Sequence, residues 1–142
     1  MQSKLITEIM TRAVQTVHTG QRPSDVRRLL VDLPIHHVPV VDDGELVGMI
    51  STNDMVRVTF EAFGRDDRSI DAILDGTYSV DEIMNRDLIT IEHTATIRDA
   101  ARMLSTGSFH CLPVVSEGRQ LEGLITSTDL IRYLAEQCET PG

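Results

Sequence analysis

The sequence predicts an α+β fold made of two tandem β-α-β-β-α repeats packed with pseudo-two-fold symmetry. Three observations predict it. An ordered set of short segments occurs twice along the 142 residues. Each copy runs through strand-period and helix-period apolar patterns in the same order. And a repeat of about 50 residues buries too little surface to be secure alone, so the two copies must pack on each other.

The duplication carries the most information. Ile9-Met10 returns 74 positions on as Ile83-Met84, and at that spacing Thr16-Val17 meets Thr90-Ile91 and Leu30 meets Leu104. His36-His37-Val38-Pro39-Val40-Val41 meets His110-Cys111-Leu112-Pro113-Val114-Val115. After one inserted residue in the next turn, Gly48-Met49-Ile50-Ser51-Thr52-Asn53-Asp54-Met55 meets Gly123-Leu124-Ile125-Thr126-Ser127-Thr128-Asp129-Leu130. A chance match would not stay in register over so many segments.

Each copy opens on a short apolar strand, expected over Val14–Val17 and Leu88–Ile91. A helix follows, with Val26, Leu29, Leu30 and Leu33 on one face in the first copy and Ile97, Ala100, Ala101 and Leu104 in the second. Pro34 disfavours helical geometry in the residue before it, which stops the first helix near Leu33. Gly107 is the expected left-handed stop of the second. Two strands come next, Val38–Val41 with Leu46–Ile50 and Leu112–Val115 with Leu121–Ile125, the first pair joined across Asp43-Gly44, a strong hairpin signal. A closing helix begins near Thr52 or Ser127. Repeat 1 is thus expected over residues 6–63, a connector over 64–78 and repeat 2 over 79–136. Within the connector, Ser69 to Leu74 reads as a short helical turn ended near Gly76.

Composition narrows the function classes. A net charge of −9 with no Trp argues against a nucleic-acid backbone partner, which wants a basic stripe and aromatic platforms. No run approaches the ~18 apolar residues of a membrane span, and the first eight residues lack a signal-peptide core. Cys111 and Cys138 make no disulfide framework. The expectation is a soluble, cytoplasmic protein; Met1 and the short tail favour a stand-alone chain over a piece of a longer one. No Walker-type loop, G-x-G-x-x-G, G-x-S-x-G or H-E-x-x-H occurs, so no enzyme is expected.

The candidate site residues are those repeated at the end of the hairpin. Ser51 and Asp54, like Thr126 and Asp129, stand where a strand becomes a helix. The ordinary reading is a capping box. The alternative uses the same geometry: a carboxylate at a helix start accepts hydrogen bonds from a ribose diol, while free amides and hydroxyls meet phosphate. His36, His37 and His110 lie just ahead of Pro39 or Pro113, either as backbone-bonded or surface histidines or as phosphate contacts. A metal site from His36, His37, His110 and Cys111 lacks any close-spaced ligand pattern. Thr16 and Thr90 offer hydroxyls, though threonine there is more often a plain β-former. Arg27, Arg28, Arg98 and Arg102 fit solvated helix faces, and Arg119 is a further positive charge.

Together, Ile9-Met10 with Ile83-Met84, the two strand-proline segments and the two Gly-x-Ile-Ser/Thr-x-x-Asp segments resemble the tandem CBS domain family, the cystathionine beta-synthase domain pair or Bateman module. The resemblance runs from about Ile6 to Leu134. It implies a two-fold-related module with clefts along the repeat interface, often a homodimer, that binds AMP, ADP or ATP, or less often S-adenosylmethionine or NAD, and regulates a client protein. No cofactor is expected to be required. The resemblance maps ribose contacts to Asp54 and Asp129, contacts to ribose or phosphate to Ser51 and Thr126, and phosphate contacts to His36, His37 and His110. Cys111 departs from the pattern, standing where arginine is frequent in nucleotide binders. The competing expectation is a ligand-independent dimerisation or docking module of a larger assembly.

Overall fold

The computed structural model describes residues 4–139. Met1 and the last residues of the tail, on which the expectation of a stand-alone chain rests, lie outside them. The fold is α+β, with two three-stranded sheets and six α-helices among the described residues.

The first sheet is ordered β1 (Val17–His18), β2 (His37–Asp42), β3 (Glu45–Ser51). β1 is parallel to β2, with Val17 opposite Val40, and β2 is antiparallel to β3. Their hairpin turns on Asp43 (φ 53°) and Gly44 (φ 83°), the two positive-φ positions a tight two-residue turn demands. Helix α1 (Pro23–Asp32) crosses between β1 and β2; it opens with proline at its start and ends one residue before Leu33-Pro34, as the proline requires. α2 (Thr52–Thr59) follows β3 without a loop.

The second sheet repeats the plan: β4 (Ile91–Glu92), β5 (Cys111–Val115) and β6 (Leu121–Thr126), with α5 (Ile97–Leu104) crossing over and α6 (Ser127–Glu139) closing. Thr96 caps α5 by accepting from the Asp99 amide (3.1 Å), and Gly107 takes the left-handed conformation just past its end (φ 76°). The inserted residue sits in the β5–β6 turn, where Gly118 (φ 72°) and Arg119 (φ 57°) are both left-handed.

The opening strands are shorter and later than expected: Val17–His18 and Ile91–Glu92 in place of Val14–Val17 and Leu88–Ile91. The reason lies in how the chain packs. One compact unit is Gln15–Leu88; the other joins the described residues up to Val14 with those from Ile89 on. Residues just ahead of each opening strand are therefore the crossings from one unit to the other. The first Ile-Met segment belongs with the second sheet, where Ile6 and Met10 share a core with Ile91, Leu112, Val114 and Ile125. The second belongs with the first sheet, where Ile83 and Met84 pack with Val17, Val38, Val40 and Ile50. Each segment also extends its host sheet. Thr11 and Leu124 exchange backbone hydrogen bonds (2.8 and 2.9 Å), as do Asn85 and Met49 (2.9 and 3.0 Å).

The connector differs most from expectation. Its helix, α3 (Asp67–Thr77), spans 11 residues and runs through Gly76; α4 (Val80–Ile83) follows. Asp67, Asp71 and Asp75, spaced one turn apart, face α1. Arg27 reaches Asp67 (2.8 Å) and Asp71 (2.9 Å), and the Ser24 amide and hydroxyl donate to the two oxygens of Asp75 (2.8 and 2.6 Å). Arg27, expected on a solvated face, thus has a side chain only 15% exposed. Tertiary contacts override the low helix propensity of a glycine here.

Glycines at repeat-equivalent places admit the exchanged segments. A Cβ on Gly48 would lie 2.5 Å from the Met84 sulfur, whereas one on Gly123 would lie 2.5 Å from the Thr11 carbonyl oxygen. A methionine side chain can swing away; a bridging backbone carbonyl cannot. Gly48→Ala is therefore expected to cost about 1 kcal/mol and Gly123→Ala about 2–3 kcal/mol. Urea unfolding of the two variants checks this, and equal or reversed losses would contradict it.

Candidate functional site

Within the Gln15–Leu88 unit, β3 passes straight into α2, so Ser51 must serve as both last strand residue and helix cap. Its backbone stays extended (φ −100°, ψ 167°) while its hydroxyl accepts from the Asp54 amide at 3.2 Å. Asp54 answers. Its Oδ2 accepts from the Ser51 amide (2.8 Å) and the Ser51 hydroxyl (2.9 Å). The other oxygen, Oδ1, lies 3.3 Å from the Arg57 guanidinium, and the side chain is 19% exposed. The pairing of β2 with β3 sets His37 opposite Ser51, and the Thr52 amide donates to the His36 carbonyl (2.9 Å). His36, His37, Ser51 and Asp54 are thereby collected at one end of one sheet. His36 is exposed and His37 half-buried. β1 runs parallel to β2, which sets exposed Thr16, one residue ahead of β1, toward that same end.

The other unit repeats the arrangement with different occupancy. Asp129 Oδ2 accepts from the Thr126 amide (2.9 Å) and the Asp129 amide donates to the Thr126 hydroxyl (3.1 Å). Cys111 stands opposite Thr126, and the Ser127 amide donates to the His110 carbonyl (3.0 Å). Thr90, half-buried, directly precedes β4. Here Oδ1 is also engaged, by the Thr11 hydroxyl (3.4 Å) and Arg132 (3.3 Å), and the aspartate is only 5% exposed.

The structure therefore brings the expected residues together in two sets, one per unit: Thr16, His36, His37, Ser51 and Asp54 in one, Thr90, His110, Thr126 and Asp129 in the other. Arg57 and Arg132 were missed in the sequence. Their signal was present, since Asp54-x-x-Arg57 and Asp129-x-x-Arg132 put opposite charges one turn apart in both copies. Thr11 could not be found that way, because it lies 118 residues from Asp129.

In chemical terms, each junction offers a carboxylate held by its own cap, a hydroxyl, a nearby imidazole and the amides of a helix start. Such a set accepts from a diol and donates to an anion. It has no nucleophile–base pair. Burial, and secondarily the Asp129 charge, push the Cys111 thiol up to about 12, far from the thiolate a nucleophile needs. Among the described residues no group of three or more His, Cys, Asp and Glu is placed to hold a metal ion, and no helix is long and apolar enough to cross a membrane.

Comparison with known proteins agrees with this architecture. The family model of the CBS domain matches residues 6–61 and 80–136. Protein MJ1225 of Methanocaldococcus jannaschii is 30% identical over 135 residues, covering 94% of this chain and 48% of its own length. Its crystal structure superposes with a TM-score of 0.78. The CBS domain pair of protein MJ0100, solved with 5′-methylthioadenosine and S-adenosyl-L-methionine, is 25% identical, with a TM-score of 0.74 over 96% of this chain and 99% of that one. The cytosolic domain of the Mg2+ channel MgtE, solved with ATP, is 26% identical, with a TM-score of 0.69 over 92% of this chain and 48% of that one. The chain spans about half the length of curated relatives such as MJ1225.

The two thiols should differ sharply in reactivity. With Cys138 exposed and Cys111 half-buried, titration with an aromatic disulfide reagent at neutral pH is expected to show one fast thiol and one released only on unfolding. Two fast thiols would contradict the environment described for Cys111.

Proposed function

Because the chain belongs to the CBS domain family, we propose that it is a regulatory, non-catalytic module that binds an adenosyl ligand, AMP, ADP or ATP ahead of S-adenosylmethionine or NAD, at the helix-start aspartates. The observation that carries the reading is the strand-to-helix junction: one carboxylate, one hydroxyl and one or two histidines drawn to the same sheet end in each unit. Asp54 and Asp129 are the ribose acceptors in this reading. Ser51, Thr126, Thr16 and Thr90 supply hydroxyls, and His36, His37 and His110 donate to phosphate. The adenosyl compounds named with MJ0100 and MgtE support the ligand class. Regulation then requires only that the ligand favour one arrangement of the module over another.

Thermal unfolding with AMP, ADP, ATP, S-adenosylmethionine and NAD tests the proposal. At about 100 times its dissociation constant a ligand adds about 2.7 kcal/mol, which in a chain of this size raises the midpoint by several degrees. The double variant Asp54→Asn, Asp129→Asn keeps an amide oxygen to accept each cap bond and is expected to fold with a lowered midpoint and lose the response. A full response from that variant would overturn the ribose assignment.

A second reading, association of two copies, has its own observation. On α2 and the turn after it, Val56, Phe60 and Phe63 are 57%, 73% and 89% exposed at helical spacing. α6 presents Ile131 and Leu134, also exposed. Apolar rows of this kind on closing helices suit a second copy of the chain. Sedimentation is expected to show a dimer that Phe60→Asp with Phe63→Asp dissociates; a wild-type monomer at all concentrations would exclude it.

A further inference from the structure

The two junctions are built from the same repeat but are not equivalent, and the differences all point one way. Asp129 is 5% exposed against 19% for the Asp54 side chain. Both Asp129 oxygens are engaged from within its unit: Thr126 holds Oδ2, while Thr11, from the exchanged N-terminal segment, and Arg132 hold Oδ1. Asn85, the counterpart of Thr11, makes a different bond, its Oδ1 accepting from the Asp87 amide (3.1 Å). Asp54 Oδ1 has Arg57 at the same 3.3 Å, and the two arginines are alike in exposure (67% and 63%), so what sets the two oxygens apart is Thr11. At the strand position opposite the cap, the first sheet carries His37 and the second carries Cys111.

We propose that the junctions have divided their labour: the Asp54 junction takes a single phosphate-bearing nucleotide, and the Asp129 junction is a structural lock that fastens the exchanged segment to the second sheet. This rests on the ligand reading above. An imidazole can carry the positive charge that a phosphate seeks. A thiol held at about 12 by burial and the Asp129 charge stays neutral and offers phosphate only a weak donor. A diol arriving at Asp129 must displace Thr11 from a carboxylate that is itself buried, and such a carboxylate gains only if the incoming donor is stronger than the one it gives up.

Isothermal titration of the full chain with AMP, ATP and the uncharged 5′-methylthioadenosine tests the division. One nucleotide per chain is expected. Asp54→Asn should weaken AMP or ATP by about tenfold or more, the worth of a charged hydrogen bond. Thr11→Val, which leaves both candidate carboxylates in place, should leave nucleotide affinity unchanged and lower the thermal midpoint; Asp129→Asn should lower the midpoint too and weaken the nucleotides far less than Asp54→Asn does. His37→Cys, which copies the second junction into the first, decides the matter even if Asp129→Asn does not fold. It should weaken the nucleotides by about tenfold and shift 5′-methylthioadenosine far less. Two sites per chain, loss of binding in Asp129→Asn with Asp54→Asn intact, or a His37→Cys penalty shared by the neutral ligand would each overturn the division while leaving the ligand reading in place. No heat from any of the three ligands with folded chain, and no thermal response to ADP, S-adenosylmethionine or NAD, would defeat the ligand reading, and the division with it.

Discussion

Each sheet of this protein hands its last strand to a helix with no residue between, and a carboxylate three positions on bonds back to the strand's final amide to hold the hand-over. Without that bond the amide of the last strand residue and the first helix amides would compete for water at a point where the chain changes direction. The aspartate therefore serves the fold before it serves any ligand. It also explains why the segment is repeated so closely: Gly, the apolar strand residues, the hydroxyl and the acid are all needed at fixed spacing for the strand to end against a neighbour and the helix to begin.

The second constraint is the exchange of leading segments. A short apolar segment of one repeat completes the sheet of the other, through paired backbone bonds at Thr11–Leu124 and Asn85–Met49. Neither core consists of one repeat alone, since Met84 fills the first and Ile6 the second. The small residue on the last strand is dictated by this docking, because a side chain there would occupy the place of the incoming methionine or carbonyl.

Much of this was legible in the sequence because the repeat doubled every signal. The hairpin turn at Asp43-Gly44, the stop before Pro34, the closing-helix starts and the capping acids all follow from local chemistry, which neighbouring residues determine. What was not legible depended on distant partners. Nothing near Val14 or Leu88 marks them as crossings between units. α3 is far longer than the expected turn because Arg27 and Ser24, 40 to 51 residues earlier, meet its aspartate row. Those aspartates one turn apart were a readable sign of a helix facing a donor surface, but the donors could not be named. At each junction the residue types were readable and their inequivalence was not, since Thr11, a partner of Asp129, lies 118 residues earlier.

On the proposed division, Asp54, the more exposed of the two cap carboxylates, doubles as a sugar acceptor and its buried twin Asp129 does not. Backbone amide resonances report this directly, because the Ser51 and Thr126 amides donate to those two carboxylates. Titrating labelled protein with AMP or ATP is expected to move the Ser51 amide along a saturable curve and leave Thr126 in place. Saturable binding with the Ser51 amide unmoved would contradict it.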